Sequence, residues 1–134
     1  MPTNQVLRSN IYAKRLGLIE KVHRILEDER CYLDPNFNIS QLAQKLGTNR
    51  SYTSSLFKNE LGTSFNHFIN NFRVVKAETL LRNAAIPMKD VWRNAGFGSS
   101  ASFRRAFHLK NKLSPTEYRL LYGVEPPFSP TKQT

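Results

Sequence analysis

Two adjacent arginines, Arg104 and Arg105, follow a run of small residues formed by Ser100, Ala101 and Ser102. A guanidinium group can bind guanine at two atoms or clamp a phosphate, so this pair suits a nucleic-acid ligand. An arginine pair seen without context is more often part of a solvated helix face. The elements that surround the pair therefore have to distinguish the two interpretations.

A second group of polar residues precedes this pair in the chain. Its members are small or basic, and they fall on the outer side of a helix that we expect to begin after Asn49: Arg50, Ser51, Ser54, Ser55 and Lys58. Small side chains let a helix lie deep in a major groove, where base edges present distinct patterns of donors and acceptors. Serine-rich faces also occur on ordinary solvated helices, so this group alone leaves both interpretations open.

The two groups belong to two copies of one sequence plan. An offset of fifty residues aligns Phe57 of the first copy with Phe107 of the second. Upstream of each copy lies a short amphipathic run that ends in glycine, at 41–47 and 89–96. A short helix, a glycine turn and a second helix with a polar outer face form a helix-turn-helix unit. The sequence therefore predicts two such units.

Apolar periodicity and capping residues set the expected helix boundaries. Apolar residues recur at intervals of three and four over about 11–30 and 64–83, which predicts one packing helix and one long helix that joins the two copies. The expected N-terminal caps are polar residues that precede apolar runs: Asn38, Asn49, Ser99 or Ser100, and Ser114. Pro87 suits the first turn of the second unit.

Composition and charge favour a polyanionic partner. The 134-residue chain has a formal net charge of +10, and the residues after position 36 hold fourteen Lys or Arg against five acids. The lone Cys31 cannot form an internal disulfide, and no apolar run approaches the roughly 18 residues of a membrane span. Because the N-terminus also lacks a signal-peptide core, we expect a soluble cytoplasmic protein whose present segment makes no membrane contact.

Residues 38–119 resemble the DNA-binding domain of the AraC/XylS-type bacterial transcription regulators. The resemblance rests on Leu42-Ala43 with Leu46-Gly47, Ser51-Tyr52 with Leu56-Phe57-Lys58 and Leu61-Gly62, Arg73 with Ala77 and Leu80-Leu81, Gly96-Phe97, Phe103 with Phe107, and Ser114-Pro115 with Tyr118-Arg119. It implies an all-α fold of about seven helices, in which two homeodomain-like helix-turn-helix subdomains are bridged by a long central helix. It also implies no catalysis, no cofactor and no metal.

The resemblance divides the chain into three parts. Residues 1–15 would be an N-terminal segment or linker, 16–122 the DNA-binding domain, and 123–134 a flexible tail. Within the domain, the first unit would cover about 38–62, the bridging helix about 64–83 and the second unit about 87–122. A monomer of this kind can place both recognition helices in successive major grooves of double-stranded DNA.

Two classes of DNA contact follow from this arrangement. DNA contacts are expected from the first recognition helix, at Arg50, Ser51, Ser54, Ser55 and Lys58, and from the second, at Ser100, Ala101, Ser102, Arg104 and Arg105. Within these sets Lys58 is expected to contact phosphate, whereas the serines and arginines are expected to read bases. Phosphate contacts are expected from Arg73, Lys76, His108, Lys110 and Lys112. The recognition helices should lie about one DNA turn apart, roughly 34 Å, on an asymmetric pair of half-sites or on a bent duplex.

Three residues depart from the family pattern. Trp92 stands where Ala is usual, so the second unit must make room beside its first helix or turn the indole outward. Lys112 replaces the Gly that ends the second recognition helix, which extends the helix or strains its exit. His108 stands where Lys is usual, which weakens a phosphate contact at neutral pH.

Other functions remain alternatives to sequence-specific regulation. A non-specific architectural DNA-binding protein would share the charge, and a helical adaptor module would share the duplicated helix pair. An enzyme is the least favoured, because His23, His67 and His108 lie on three different predicted helices and no metal-spaced cluster or glycine-rich phosphate loop appears. RNA polymerase is an expected partner of such a regulator, and a sensory or dimerisation domain missing from this chain is possible.

Overall fold

The chain folds into helices joined by short connections. The structure, a computed structural model, describes residues 4–126 and the side chains of residues 11–126, and these contain no β-strand. Their α-helices are α1 (Asn4–Arg24), α2 (Ile39–Leu46), α3 (Arg50–Leu56), α4 (Phe65–Leu81), α5 (Met88–Asn94), α6 (Ser100–Asn111) and α7 (Pro115–Tyr122). A π-helical turn follows α1 at Ile25–Glu29, and another follows α3 at Phe57–Leu61. The predicted all-α fold is confirmed.

The described chain divides into two compact units. The first unit comprises the chain up to Cys31 together with Phe37–Phe65, and the second comprises Tyr32–Asn36 together with the chain from Asn66 onward. The sequence predicted two units built around α2–α3 and α5–α6. It did not predict that five residues between α1 and α2 belong with the second unit.

The core of the first unit joins α1 to the first helix pair. Its buried residues are Val22, Ile25, Leu26, Phe37, Leu42, Ala43, Leu46, Leu56, Phe57 and Phe65. The Phe65 ring lies 5.9 Å from that of Phe37 and 5.8 Å from that of Phe57, the latter edge to face. Such aromatic geometry adds to the stabilisation from burial alone.

Helix α1 begins earlier than the sequence predicted. Residues 1–15 were expected to form a segment or linker, yet the helix runs from Asn4 to Arg24 without interruption. The chain between Thr3 and Gly17 contains no proline or glycine, so nothing in it stops helix propagation. Gly17 lies inside the continuous α-helix.

The core of the second unit is built from α4, α5, α6 and α7. Its buried residues are Val74, Ala77, Leu81, Val91, Ala95, Phe97, Phe103, Phe107 and Tyr118. Four of them form an aromatic series in which the rings of Phe97 and Phe103, Phe103 and Phe107, and Phe107 and Tyr118 are 5.3, 5.7 and 5.3 Å apart. Trp92 is partly buried and packs against this core, so the unit makes room for the indole.

The predicted helix caps are confirmed. Asn38 and Ser114 each form a reciprocal capping box with the residue three positions later, and Pro115 occupies the first turn of α7. Asn49 caps α3 and Ser99 caps α6. These bonds satisfy backbone N–H groups that have no partner inside a helix, so they fix where each helix begins.

Gly96 allows two backbone segments of the second unit to approach closely. Its φ of 95° is disfavoured for residues with a side chain, and a Cβ atom there would collide with the carbonyl oxygen of Tyr32. The Arg73 side chain and the Phe72 ring also contact this neighbouring segment. These contacts explain why Tyr32–Asn36 belongs to the second unit.

The start of the predicted tail is held by backbone hydrogen bonds. The Val124 N–H donates to the Arg82 carbonyl oxygen at 2.7 Å, and the Ala84 N–H donates to the Val124 carbonyl oxygen at 3.1 Å. The expectation of a flexible tail from residue 123 is therefore wrong at Val124. Residues 127–134 of the expected tail lie outside the described residues.

Candidate nucleic-acid interface

Buried residues on the inner side of α3 fix which face of this helix is exposed. Asn49 accepts the Tyr52 N–H at 2.8 Å, and the Thr53 hydroxyl donates to the Asn49 carbonyl oxygen at 2.8 Å. Thr53, Leu56 and Phe57 are buried. Because these residues occupy one side of the helix, the remaining side faces solvent.

The exposed face of α3 carries the first group of predicted base readers. All of them are exposed: Arg50, Ser51, Ser54, Ser55 and Lys58. Three exposed serine hydroxyls lie between two cations along this stretch of sequence. A hydroxyl can donate and accept, so it can pair with any base edge, whereas a Lys or Arg at a helix end suits a phosphate. The first face is thus small and polar, with positive charge near both ends.

The exposed face of α6 carries more charge. Phe103 and Phe107 are buried on its inner side, which leaves Ala101, Arg104 and Arg105 exposed. Helix α6 contains three Lys or Arg residues and no acid, whereas Arg50–Leu61 contains two and one Glu. Each arginine has five N–H donors, so Arg104 and Arg105 together offer ten on the second face.

Ser102 is engaged in the cap of α6. The Ser99 hydroxyl oxygen accepts the Ser102 N–H at 3.1 Å, and the Ser99 hydroxyl donates to the Ser102 hydroxyl oxygen at 2.9 Å. Ser100 and Ser102 are both half-buried. Ser102 is predicted as a base reader, and its hydroxyl oxygen also accepts a bond from the residue that caps α6.

Arg73 does not offer its guanidinium to a phosphate. Its Nε donates to the Tyr32 carbonyl oxygen at 2.7 Å, its Nη2 to the Asp34 carbonyl oxygen at 3.0 Å and its Nη1 to the Asn70 side-chain oxygen at 3.3 Å. Burial lowers the pKa of Arg73, and the residue is only 9% exposed. These bonds tie Arg73 to its own unit and favour a structural role for it over the predicted phosphate contact.

The other four predicted phosphate contacts have different surroundings. Lys110 Nζ donates to both carboxylate oxygens of Glu78, at 2.8 and 2.9 Å, so its charge is already offset within the second unit. Lys76 is half-buried, whereas His108, Lys110 and Lys112 are exposed. Apart from Lys110, which is paired with Glu78, the exposed members of this set are His108 and Lys112.

Lys112 ends α6 in a left-handed conformation. Its φ is 60°, its N–H donates to the His108 carbonyl oxygen at 2.8 Å, and the helix stops at Asn111. Of the two outcomes expected from the missing glycine, the structure has the strained exit and not the longer helix. A left-handed conformation costs a non-glycine residue on the order of 1 kcal/mol.

A family model described as a helix-turn-helix domain matches residues 42–120. That range runs from α2 through α7 and contains both recognition helices, α3 and α6. The chain belongs to the AraC-type helix-turn-helix family. Domains of this family are the DNA-binding parts of transcriptional regulators and are not enzymes. This chain is therefore a DNA-binding domain involved in transcription regulation.

Known proteins similar to this AraC-type domain include regulators and solved DNA-binding domains. An uncharacterized HTH-type transcriptional regulator of Staphylococcus aureus is 28% identical over 115 residues, which are 86% of this chain and 15% of that relative. The C-terminal domain of the two-component response regulator yesN from Fusobacterium nucleatum is 27% identical, with a TM-score of 0.68 over 77% of this chain and 98% of that chain. The DNA-binding domain of AdpA, a global transcriptional factor solved in complex with a target DNA, is 26% identical, with a TM-score of 0.67 over 78% of this chain and 91% of that chain.

No described helix is long and apolar enough to cross a membrane. Among the described residues, no cluster of His, Cys, Asp or Glu has the arrangement of a metal site.

Sequence reasoning missed a cation beside the second recognition helix of the AraC-type domain. Arg93, at the end of α5, is exposed, and its guanidinium carbon lies 5.3 Å from the centre of the Trp92 ring. A cation held on an aromatic face loses less freedom when it binds an anion. The adjacent Trp-Arg dipeptide was the available signal, and it was considered only for the bulk of the indole.

Proposed function

We propose that this chain is the sequence-specific DNA-binding domain of a bacterial transcriptional regulator, with α3 and α6 in successive major grooves of one duplex. The observation that carries the proposal is the pair of capped helices whose outer faces are exposed, with the exposed pair Arg104 and Arg105 on α6. The similarity to the AdpA domain, which was solved with its target DNA, supports it.

The two faces would contribute unequally to base reading. Exposed side chains of α3, chiefly Ser51, Ser54 and Ser55, would contact the edges of one half-site. Arg104 and Arg105 would contact the other, where each bidentate pair with guanine discriminates by about 1–3 kcal/mol. The half-sites would be centred about one helical turn apart, roughly 34 Å.

Phosphate contacts would set the position of the domain on the duplex. The side chains that suit this role are exposed or lie at helix ends: Arg50, Lys58, Arg93, His108 and Lys112. Backbone N–H groups at helix N-termini add to them, because each helix dipole is positive at that end. Lys76 remains a weaker candidate because it is half-buried.

Selection of bound duplexes from a random pool tests sequence specificity. We expect recovery of an asymmetric site with two preferred segments about one turn apart. A pool that shows no enrichment, together with equal displacement of the protein by random competitor duplex, would identify a non-specific architectural protein. Binding that does not weaken with salt would instead point to an adaptor of neutral peptides.

The domain would act as part of a larger regulator. The chain spans 15% of the length of the first curated relatives that it matches, so those relatives contain much sequence beyond this domain. We propose that a sensory or dimerisation domain supplies the regulatory signal, that RNA polymerase is the downstream partner, and that the domain acts in the cytoplasm. Co-purification of the full-length regulator with RNA polymerase on a selected duplex tests the second of these.

A further inference from the structure

Each unit contains one ion pair that joins the end of its recognition helix to another helix. In the first ion pair, Arg15 Nη1 of α1 donates to Glu60 Oε1, just after α3, at 2.8 Å. In the second ion pair, Lys110 Nζ of α6 donates to both carboxylate oxygens of Glu78 of α4, at 2.8 and 2.9 Å. The partners are 45 and 32 residues apart in the chain, so both pairs are tertiary contacts.

The recognition-helix members of the two pairs occupy the same place in the duplicated plan. The fifty-residue offset that aligns Phe57 with Phe107 also aligns Glu60 with Lys110. Both of these residues stand two positions before a residue in the left-handed conformation that ends the helix. The two units therefore use an equivalent position for the same kind of contact, but with opposite charge.

The acidic partner is the more enclosed member of each pair. The side chains of Glu60 and Glu78 are 18% and 11% exposed, against 41% and 36% for Arg15 and Lys110. An enclosed carboxylate that lost its cation would be left poorly solvated, so these contacts are more directional than ordinary surface pairs. A side chain held in this way limits rotation of the helix that carries it.

The first ion pair lies close to the base-reading face. Arg15 and Glu60 line a small cleft together with Tyr52, Ser55, Leu56 and Asn59. Ser55 is also one of the exposed residues of the α3 face. A change in the position of Arg15 would therefore alter the surroundings of Ser55, which belongs to both the cleft and the exposed α3 face.

We propose that Glu60 and Lys110 are positioning residues, which set the orientation of α3 and α6 for DNA binding through their ion pairs with Arg15 and Glu78. Recognition requires side chains to be held within about 0.5 Å of their productive geometry. Packing at the N-terminus of a recognition helix does not by itself fix the position of its C-terminal end. The inference rests on the proposed function, since it concerns how the exposed faces of α3 and α6 are oriented toward DNA.

Charge reversal tests the first ion pair. Arg15→Glu and Glu60→Arg should each lower selectivity at the bases read by α3 by roughly threefold or more, while selectivity at the bases read by α6 stays unchanged. The double variant Arg15→Glu with Glu60→Arg should recover most of the loss. Glu78→Lys, Lys110→Glu and their double variant should behave in the same way at the other half-site.

The control removes an ion pair that is not attached to a recognition helix. Lys45 Nζ lies 2.9 Å from Glu29 Oε1, and both side chains are well exposed. Lys45→Ala should leave both half-site preferences unchanged. If it causes the same loss as Glu60→Arg, the effect comes from general stability, and the positioning role is overturned.

Amide hydrogen exchange in the absence of DNA separates the two proposals. Glu60→Arg should speed exchange in residues 50–61 but not in 100–111, and the double variant should restore protection. If the wild type selects no sequence, the proposed function fails, and this exchange pattern alone supports or overturns the positioning role. The positioning role is overturned if hydrogen exchange and half-site selectivity are unchanged in both Arg15→Glu and Glu60→Arg. It is also overturned if the double variant folds but recovers neither exchange protection nor selectivity.

Discussion

The role of an arginine in this domain depends on what surrounds it. Arg73 is buried and donates to two backbone carbonyl oxygens, whereas Arg104 and Arg105 are exposed on a helix face. Sequence reasoning treated Arg73 as an outward cation because it lies on the long helix among polar residues. Its acceptors, the carbonyls of Tyr32 and Asp34, are 41 and 39 residues away in the chain, so no local pattern indicates them.

Replacement of Arg73 by Ala tests this structural role. The variant leaves two carbonyl oxygens without their donor, so we expect the free energy of unfolding to fall by about 2–4 kcal/mol. The slope of log binding constant against log salt should remain that of the wild type, because no phosphate contact is lost. Arg73→Lys is the matched control: it keeps the charge, cannot donate to both carbonyls, and should also lose stability. A shallower salt slope for Arg73→Ala would restore the phosphate assignment.

Lys112 carries a conformational strain that its counterpart lacks. Gly62, fifty residues earlier, has a φ of 64°, close to the 60° of Lys112. Lys112→Gly should therefore raise the free energy of unfolding by about 0.5–1 kcal/mol, as measured by urea denaturation. The reciprocal change Gly62→Lys should lower it by a similar amount, since a Cβ there meets no atom within 4 Å and only the backbone conformation is disfavoured.

The same Lys112→Gly protein tests the predicted phosphate contact. Loss of one phosphate contact should make the salt slope shallower by about 0.9. If the variant is more stable and its salt slope is shallower, Lys112 both strains the end of α6 and contacts a phosphate. An unchanged slope would leave His108, Arg50, Lys58 and Arg93 as the phosphate contacts.

The helices could be predicted from the sequence wherever a local signal exists. Asn38, Asn49 and Ser114 each precede an apolar run, and each caps the expected helix. The signals failed where the deciding contact is distant. Arg15 and Glu60 lie 45 residues apart, so their ion pair and its place beside the reading face of α3 were not predicted.

The exposed faces of α3 and α6 were predictable for the same local reason. Helical periodicity separates the buried Thr53, Leu56 and Phe57 from the exposed serines of α3. The exception is Ser102, whose hydroxyl takes part in the cap formed by Ser99. Periodicity gives the side of the helix on which a residue lies, but it does not show that a hydroxyl near the helix start has another partner.

The capping box of α7 should make stability depend on acidic pH. The Ser114 N–H donates to the Glu117 carboxylate at 2.9 Å, and this bond holds the pKa of Glu117 below its ordinary value. A lowered pKa in the folded state means that the stabilisation is present above the unfolded-state pKa, about 4.3, and is lost as the pH falls through the folded-state value. Below about pH 4.3 the wild type should therefore lose more stability than Glu117→Gln.

The first unit supplies a natural control for this pH effect. Its equivalent box, formed by Asn38 and Gln41, contains no carboxylate. Glu117→Gln converts the second box to the same neutral form, so its shape is preserved while the titrating group is removed. Identical acid denaturation curves for the wild type and Glu117→Gln would contradict the assignment.

The two units share a scaffold and differ on their outer faces. Both have a capped recognition helix with a buried Phe at the equivalent position, Phe57 and Phe107. The α3 face is rich in serine, whereas α6 has two exposed arginines and no acid. The domain as a whole should therefore obtain most of its base preference from the second unit.

Alanine substitutions test this asymmetry. Arg104→Ala or Arg105→Ala should each cost about 1–3 kcal/mol of binding free energy and relax the preference at one base pair. An equal loss across all sequences would instead assign that arginine to a phosphate. Arg50→Ala should weaken binding with little change in preference. The asymmetry is wrong if Arg50→Ala abolishes selectivity while the Arg104→Ala, Arg105→Ala double variant retains it.

The Tyr32–Asn36 segment makes the second unit discontinuous along the chain. A gene fragment that starts at Asn66 would encode α5, α6 and α7 in full, yet it would lack the carbonyl acceptors of Arg73 and the backbone that lies against Gly96. No single cleavage of the polypeptide yields both units intact. A second unit made by truncation would thus misreport the affinity of its half-site, and that half must be studied by substitution within the uncut chain.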